Sequence, residues 1–395
     1  MDRIDKNIDV VILGASGYTG KIVYEYFLDK YKDSSLVFAI AGRNIKKLED
    51  VQSSLNDQGN TKILRIDTDS NEDIENLVKS TKCVLTTVGP YQLYGSKLVE
   101  ACAKHGTDYV DLCGEPGWMH EMITSHKNLA QSSGARIVFS CGFDSIPFDL
   151  GVWFVQQEAL KQKGKTSNHV RARVRAMNGQ FSGGTIASLG ATMAKLKTNP
   201  ELFAVLANPF SLSEGFEGPE QPKDNKPIYD DAMQSWVAPF FMAPINTKNV
   251  HRTNYLLDHI YGEDFQYNEM WATGDGEAGQ QMAAGVASAN PFGGGEGTPQ
   301  PGEGPTREQR ENGNYDVVFY ADFDDESITA SVAGDMDPGY GSTSKMIAES
   351  ALCLLDQAKD VPGGIYTPGS CMAEVLINRL EDNAGLTFKV EKIVR

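Results

Sequence analysis

The sequence has no CxxC pair. Its six cysteines (Cys83, Cys102, Cys113, Cys141, Cys353 and Cys371) are scattered, several within apolar runs where cysteine behaves as a small buried hydrophobe. That pattern argues against a zinc knuckle or a disulfide-stapled scaffold and fits a reducing compartment. The histidines supply no metal site either, because His120 and His126 stand at the wrong interval to share one helix face. No stretch reaches the roughly 18 apolar residues of a membrane span. The opening "MDRIDKNIDV" lacks the apolar segment of a secretory leader. Positive charge is scarce: 36 Lys and Arg stand against 53 Asp and Glu, a net charge of −17. Such a surface repels phosphate backbones and anionic headgroups, which argues against nucleic acid and integral membrane partners. Internal repeats and coiled-coil heptads are absent as well. The expectation is a soluble, cytoplasmic protein whose 395 residues suffice for about two domains.

Residues 9 to 140 alternate β-rich runs with helical segments. The runs are "DVVILG", "LVFAIAG", "KILRID", "CVLTTVG", "YVDLCG" and "ARIVFSCG". Six strands with helices between them, such as "NEDIENLVKS" and "GSKLVEACAKHG", predict an α/β domain: a doubly wound parallel sheet of the Rossmann kind. After Gly142 the texture changes. "FDSIPFDLGVWFVQQEAL" offers Asp144 or Ser145 as a cap and Pro147 in a first helical turn. Further on, "HVRARVRAMNG", "QYNEMWATGDG", "YDVVFYADFDD" and "SITASVAGD" read as strands, and "TIASLGATMAKLK" reads as a helix. The pattern predicts an inserted α+β domain with an antiparallel sheet. Residues 1–148 are assigned to the first domain, 149–338 to the second, and 339–395 to a C-terminal helix and tail returning to the first. The segments "SLSEGFEGPEQPKDNKP" and "NPFGGGEGTPQPGEGPTREQRENGN" read by composition as surface loops.

Between the first strand and the first helix lies "GASGYTG", residues Gly14, Ala15, Ser16, Gly17, Tyr18, Thr19 and Gly20. The strand before and the helix after make this a pyrophosphate turn. Gly14 allows the tight turn, Gly17 lets backbone amides approach the phosphates, and Gly20 lets the helix pack close. The second strand ends in "AGRN" where an NAD site would have a carboxylate. Arg43, with Asn44 beside it, is instead suited to grip a 2′-phosphate, which favours NADP(H). The fourth strand ends in "TTVGPYQLYG", so Thr87, Val88, Gly89, Pro90 and Tyr91 are expected on the nicotinamide side. "YVDLCGEPGW" and "FSCGFDSIP" end on the same rim and direct Gly114, Glu115, Cys141, Asp144 and Ser145 toward one crevice.

Hydride transfer needs a proton donor beside the cofactor. Tyr91, Tyr94, or a water held by Asp144 and Ser145 are the candidates. Cys141 has no base near it in sequence, and Ser145 is in no GxSxG elbow, so nucleophilic catalysis is poorly supported. An apolar cleft is expected around "WVAPFFMAPIN", a stretch that also reads as core or dimer face.

The chain resembles the saccharopine dehydrogenase-like oxidoreductases, including the trans-acting enoyl reductases. The resemblance rests on "GASGYTG", "AGRN", "TTVGPYQLYG", "YVDLCGE", "CGFDSIPFDLG", "SGGTIASL", "PFFMAPINTKNVHRTNYLL", "YGEDFQYNE", "PGEGPTREQRENG", "DPGYGSTSKMIAESALCLL" and "GGIYTPG". These span most of the chain. The resemblance implies NADP(H) as cofactor, reduction of a C=C or C=N bond of an acyl or other small substrate, and a second domain that shapes the cleft and the contacts of a homodimer. It also makes "PGEGPTREQRENG" a family element. "CGFDSIP" is similar to the Gly-x-Asp-Pro-Gly turn of saccharopine reductases through Gly142 and Asp144, but Ser145 and Ile146 come before Pro147. That departure weighs against an amino-acid dicarboxylate substrate, for which Arg171, Arg173, Arg175 and Arg252 are the second domain's candidate anchors. The competing readings are an amino-acid dehydrogenase of saccharopine type and a non-catalytic NADP(H)-binding scaffold or lipid-associated protein.

Overall fold

A computed structural model describes residues 6–57, 59–179, 183–289, 302–324 and 326–391. Within the Pro/Gly-rich segments read above as loops, residues 290–301 lie outside the described set, as do residues 180–182 just before "GGTIASL".

The first half runs β1 (Ile8–Leu13), α1 (Tyr18–Tyr31), β2 (Phe38–Gly42), α2 (Ile45–Ser54), β3 (Lys62–Arg65), α3 (Asn71–Ser80), β4 (Thr81–Thr86), α4 (Tyr91–Tyr94), α5 (Ser96–His105), β5 (Asp108–Val110), α6 (Pro116–Ser133), β6 (Arg136–Val138) and α7 (Ile146–Lys163). The second half continues with β7 (His169–Asn178), α8 (Gly183–Thr198), α9 (Glu201–Ala207), β8 (Ile228–Asp230), β9 (Ser235–Pro239), α10 (Ala243–Leu256), β10 (Gln266–Gly274), α11 (Gly276–Ser288), α12 (Arg307–Glu311), β11 (Asn314–Asp322) and β12 (Ser327–Gly334). A π-helical turn at Pro338–Ser342 leads into α13 (Thr343–Asp356), β13 (Gly364–Tyr366), α14 (Pro368–Asn383) and β14 (Leu386–Val390).

The first sheet has the order β3-β2-β1-β4-β5-β6-β13 and is parallel throughout. β1, next to the sheet's middle strand, is apolar from Val10 to Leu13 because both faces are covered there. Val10 and Ile12 join one buried cluster with α1 and α13, whereas Val11 and Leu13 join another with α3, α5 and α6. The chain reverses winding between β1 and β4. In such sheets that is where a ligand sits beyond the strands' carboxyl ends.

The second sheet has the order β14-β12-β11-β7-β10-β9-β8. It is mixed rather than antiparallel, since β7 and β10 run parallel from Gln266↔His169 to Trp271↔Val174. α7 crosses from one sheet to the other, with an unbroken buried run from Ile146 to Val152. The C-terminal segment divides. α13 packs on the first domain, where the fully buried Glu349 accepts hydrogen bonds from Tyr26 and Tyr31 of α1 at 2.5 Å each and from Arg379 of α14. β13 extends the first sheet, while β14, part of the tail expected on that domain, instead pairs with β12 of the second. No described helix is long and apolar enough to cross a membrane.

Candidate active site

At the switch point the chain folds back on itself. Gly14 has φ +94°, and a Cβ there would lie 2.8 Å from Thr87 Oγ1 and 2.9 Å from Val88 Cγ2. A Cβ on Gly20 would lie 2.2 Å from the Gly14 carbonyl oxygen, so helix and turn touch through backbone alone. In front of Gly17 only the Gly14 carbonyl oxygen is near, at 3.3 Å. No side chain caps the first turn of α1. Its leading N–H groups and the positive end of its dipole therefore have no side-chain acceptor among the described residues, which is the chemistry of a phosphate cradle.

The side chains of the turn divide their tasks. Ala15 is buried in the core and offers only its backbone. Ser16 Oγ lies beside the end of β2, 3.6 Å from where a Gly42 Cβ would stand, and Thr19 is half-buried. Tyr18 turns away toward the second domain, where its hydroxyl donates to the Pro305 carbonyl. Arg43 is exposed and makes no ion pair among the described residues, while nearby Lys46 is paired with Asp50 at 2.8 Å. Asn44 caps α2 by accepting the Lys47 N–H at 3.1 Å. A free guanidinium at the end of β2, together with an uncapped helix at the end of β1, fits a dinucleotide carrying a 2′-phosphate.

Beyond β4, Thr87 N–H donates to the Leu13 carbonyl at 3.0 Å and Val88 N–H to Thr86 Oγ1 at 3.2 Å. Gly89 is exposed and Pro90 half-buried at the rim. Glu115, buried, accepts the N–H groups of Tyr91 and Gln92 at 2.9 Å each and so caps α4. The structure does not place Tyr91 as a proton donor. Its ring stacks on Trp118 at 5.7 Å, and its hydroxyl donates to the Thr86 carbonyl at 3.3 Å and accepts the Leu112 N–H at 3.1 Å. Burial pushes that phenol well above its ordinary value. Tyr94 is half-buried in the same short helix. Cys141 is fully buried and its thiol is pushed well up by burial, so it is no nucleophile.

The turn from β6 into α7 carries Asp144 and Ser145. Ser145 is fully buried; its N–H donates to the Ser140 carbonyl at 3.1 Å, and its Oγ accepts from Asn249 Nδ2 at 2.7 Å. The Asp144 carboxyl makes no hydrogen bond among the described residues, and burial pushes it up to about 7. One turn before Asn249 on α10, Asn246 donates to Glu269 Oε1 at 2.8 Å, and the Tyr267 hydroxyl donates to Glu269 Oε2 at 2.7 Å. Burial first, with the charges of Asp224 and Asp144 adding, pushes Glu269 up to about 8. Asn246, Asn249, Tyr267 and Glu269 were not evident from the sequence. The only trace was the period-two spacing in "QYNEMWATG", which puts Tyr267 and Glu269 on one face of β10.

The four second-domain arginines are all engaged elsewhere. Arg171 pairs with Asp322 at 2.6 Å and Asp230 at 3.0 Å, Arg173 with Asp230 at 2.7 Å, and Arg175 with Asp316 at 2.9 Å and Glu391 at 2.5 Å. Arg252, buried, donates to the Leu212 and Ile365 carbonyls.

Residues 10–187 match the family described as the saccharopine dehydrogenase NADP binding domain. A protein of Mycobacterium tuberculosis provisionally named a trans-acting enoyl reductase is 33% identical over 428 residues, covering 100% of both chains. The trans-acting enoyl reductase of Mycobacterium ulcerans is 30% identical over 409 residues, covering 96% of this chain and 97% of that protein. Among solved structures, the apo saccharopine dehydrogenase (L-Glu forming) of Saccharomyces cerevisiae aligns with a TM-score of 0.50 at 13% identity, over 98% of this chain and 100% of that one. At that identity the likeness concerns the fold alone.

Proposed function

This chain belongs to the saccharopine dehydrogenase-like oxidoreductases, the family that includes the trans-acting enoyl reductases, and on that premise we propose that it reduces the C=C bond of an enoyl group in a neutral acyl substrate. It is an NADP(H)-dependent oxidoreductase by family. The relatives' names supply the bond type, and the spent arginines supply the substrate class. A substrate with two carboxylates calls for guanidinium groups free to pair bidentately. Arg171, Arg173, Arg175 and Arg252 all hold acids or carbonyls of the protein itself. That observation carries the reading: these four guanidinium groups are taken up by the protein's own acids and carbonyls.

When bound, NADPH supplies the hydride that adds to one carbon of the C=C bond. The chain provides the proton for the other carbon from Asp144, whose carboxyl is kept neutral by burial up to about pH 7. Asp144 is left as a carboxylate and takes a proton back from water. Ser145, fully buried and held by Asn249, fixes the turn that carries Asp144 and does not itself reach the substrate.

The test offers NADPH deuterated at the nicotinamide C4 to the purified protein with two substrates in turn. One is an enoyl thioester; the other is the imine mixture of lysine and 2-oxoglutarate. Deuterium in the saturated thioester supports the proposal. Deuterium only in the amino-acid product, or in neither product, overturns it.

The cofactor preference is carried by Arg43. The Arg43→Ala variant is expected to bind NADPH about 10- to 100-fold more weakly, as loss of a charge-assisted phosphate contact implies, while NADH affinity stays within about twofold. Fluorescence titration of both cofactors measures this, and equal losses for the two would contradict the role.

A further inference from the structure

Tyr18 lies in the pyrophosphate turn, yet its side chain belongs to another part of the chain. Its hydroxyl donates to the Pro305 carbonyl and accepts from Arg310 Nη1 at 3.3 Å, and Arg310 Nη1 reaches the same carbonyl at 3.2 Å. The edge of the Tyr340 ring packs on the Tyr18 ring with centroids 5.1 Å apart, and the Arg310 guanidinium stands 6.0 Å from the Tyr18 centroid. Two turns along α1, Glu25 pairs with Arg307 at 3.2 Å and with Arg310 at 3.8 Å. The chain at Gly304 passes so close that a Cβ there would come within 2.6 Å of the Tyr18 ring.

The gripping segment is itself well held. Thr306 and Gln309 form a capping box at the start of α12. The Arg310 carbonyl accepts the Asp337 N–H at 2.9 Å, and the Asp337 carboxylate caps the π-helical turn through Tyr340 and Gly341 at 2.9 and 2.8 Å. Burial keeps the Tyr18 phenol above its ordinary value, so it remains a donor.

We infer that Tyr18 and Arg310 are positioning residues for the cofactor's pyrophosphate: the second domain, through residues 304–310, clamps the first turn of α1 and fixes the aim of its free N–H groups. Tyr18 is the first residue of that helix, so its backbone belongs to the cradle while its side chain belongs to the clamp. Cofactor affinity thus depends on contacts nearly 300 residues away in sequence, and the dinucleotide domain alone is an incomplete site. The inference does not rest on the identity of the substrate.

The test uses full-length Tyr18→Phe and Arg310→Met, with two ligands. NADPH spans the pyrophosphate turn, whereas 2′-AMP engages only the adenosine 2′-phosphate end. The expected result is an NADPH dissociation constant raised about tenfold in each variant, the loss of a hydrogen bond to a charged or strongly held partner, with 2′-AMP affinity and melting temperature unchanged. NADPH affinity within twofold of the parent in both variants would overturn the inference. Equal loss of both ligands would overturn it as well, since that would mark a general disturbance of the fold and not of the phosphate turn.

Discussion

Replacing Asp144 by asparagine is expected to lower kcat about 10²- to 10⁴-fold, the usual worth of a positioned general acid, while the NADPH dissociation constant stays within about twofold. Asparagine keeps the shape of the turn and its packing beside Ser145, but it has no proton to release near neutral pH. The pH dependence gives the sign. Burial raises the Asp144 carboxyl from its ordinary range to about 7, because the half-buried anion loses part of its hydration. The neutral, donating form therefore prevails below pH 7, and kcat/KM of the parent should fall as pH rises through that value. The variant should lack this limb. Stability moves with the same sign: a carboxyl whose folded value lies above its unfolded one favours the fold fully at acid pH, and the contribution is lost as pH rises through the folded value. Asp144→Asn should thus melt no lower than the parent at pH 9. A variant that keeps a third or more of kcat, or keeps the alkaline limb, removes Asp144 from the role.

Much of this arrangement was legible in the sequence because it is local. The glycines of the turn, the strand before them and the helix after are fixed by neighbours a few residues away, and Arg43 follows the next strand. The six runs of the first sheet needed only an apolar pattern with helices between. What escaped was set by distance along the chain. Nothing in "GIY" marks Gly364–Tyr366 as the edge strand beside β6, and alternation in "HVRARV" and "QYNEMW" fixes faces but not direction, so the parallel pairing of β7 with β10 was not foreseen. Asn249 reaches Ser145 across 104 residues, and Tyr18 reaches Pro305 across 287. Tyr91 shows the converse error. It begins α4 just after β4, but the stacked ring of Trp118 and the Leu112 N–H draw its hydroxyl inward, and neither is visible from "TTVGPYQLYG".

The largest effect on stability is expected from Asp108→Ala. Asp108 and Arg136 begin the adjacent parallel strands β5 and β6, and their side chains are 0% and 1% exposed. The Asp108 carboxylate accepts Arg136 Nε and the Arg136 backbone N–H at 3.1 Å each, and it also takes Nη2. Arg136 Nη1 donates to the Ala358 carbonyl just past α13, so the pair ties the sheet to the returning C-terminal segment. Truncating the carboxylate leaves a guanidinium with no water and no counter-ion, a situation that costs about 3–5 kcal/mol. The urea midpoint should fall accordingly. Replacing both partners by apolar residues of similar volume, Asp108→Leu with Arg136→Met, should restore most of that loss, because no charge is then stranded. The comparison separates two accounts of the pair. If the double variant is as unstable as the single one, the bonds to the backbone N–H and the Ala358 carbonyl carry the stability. If the single variant loses less than about 1 kcal/mol, water reaches Arg136 and its burial is not maintained in solution.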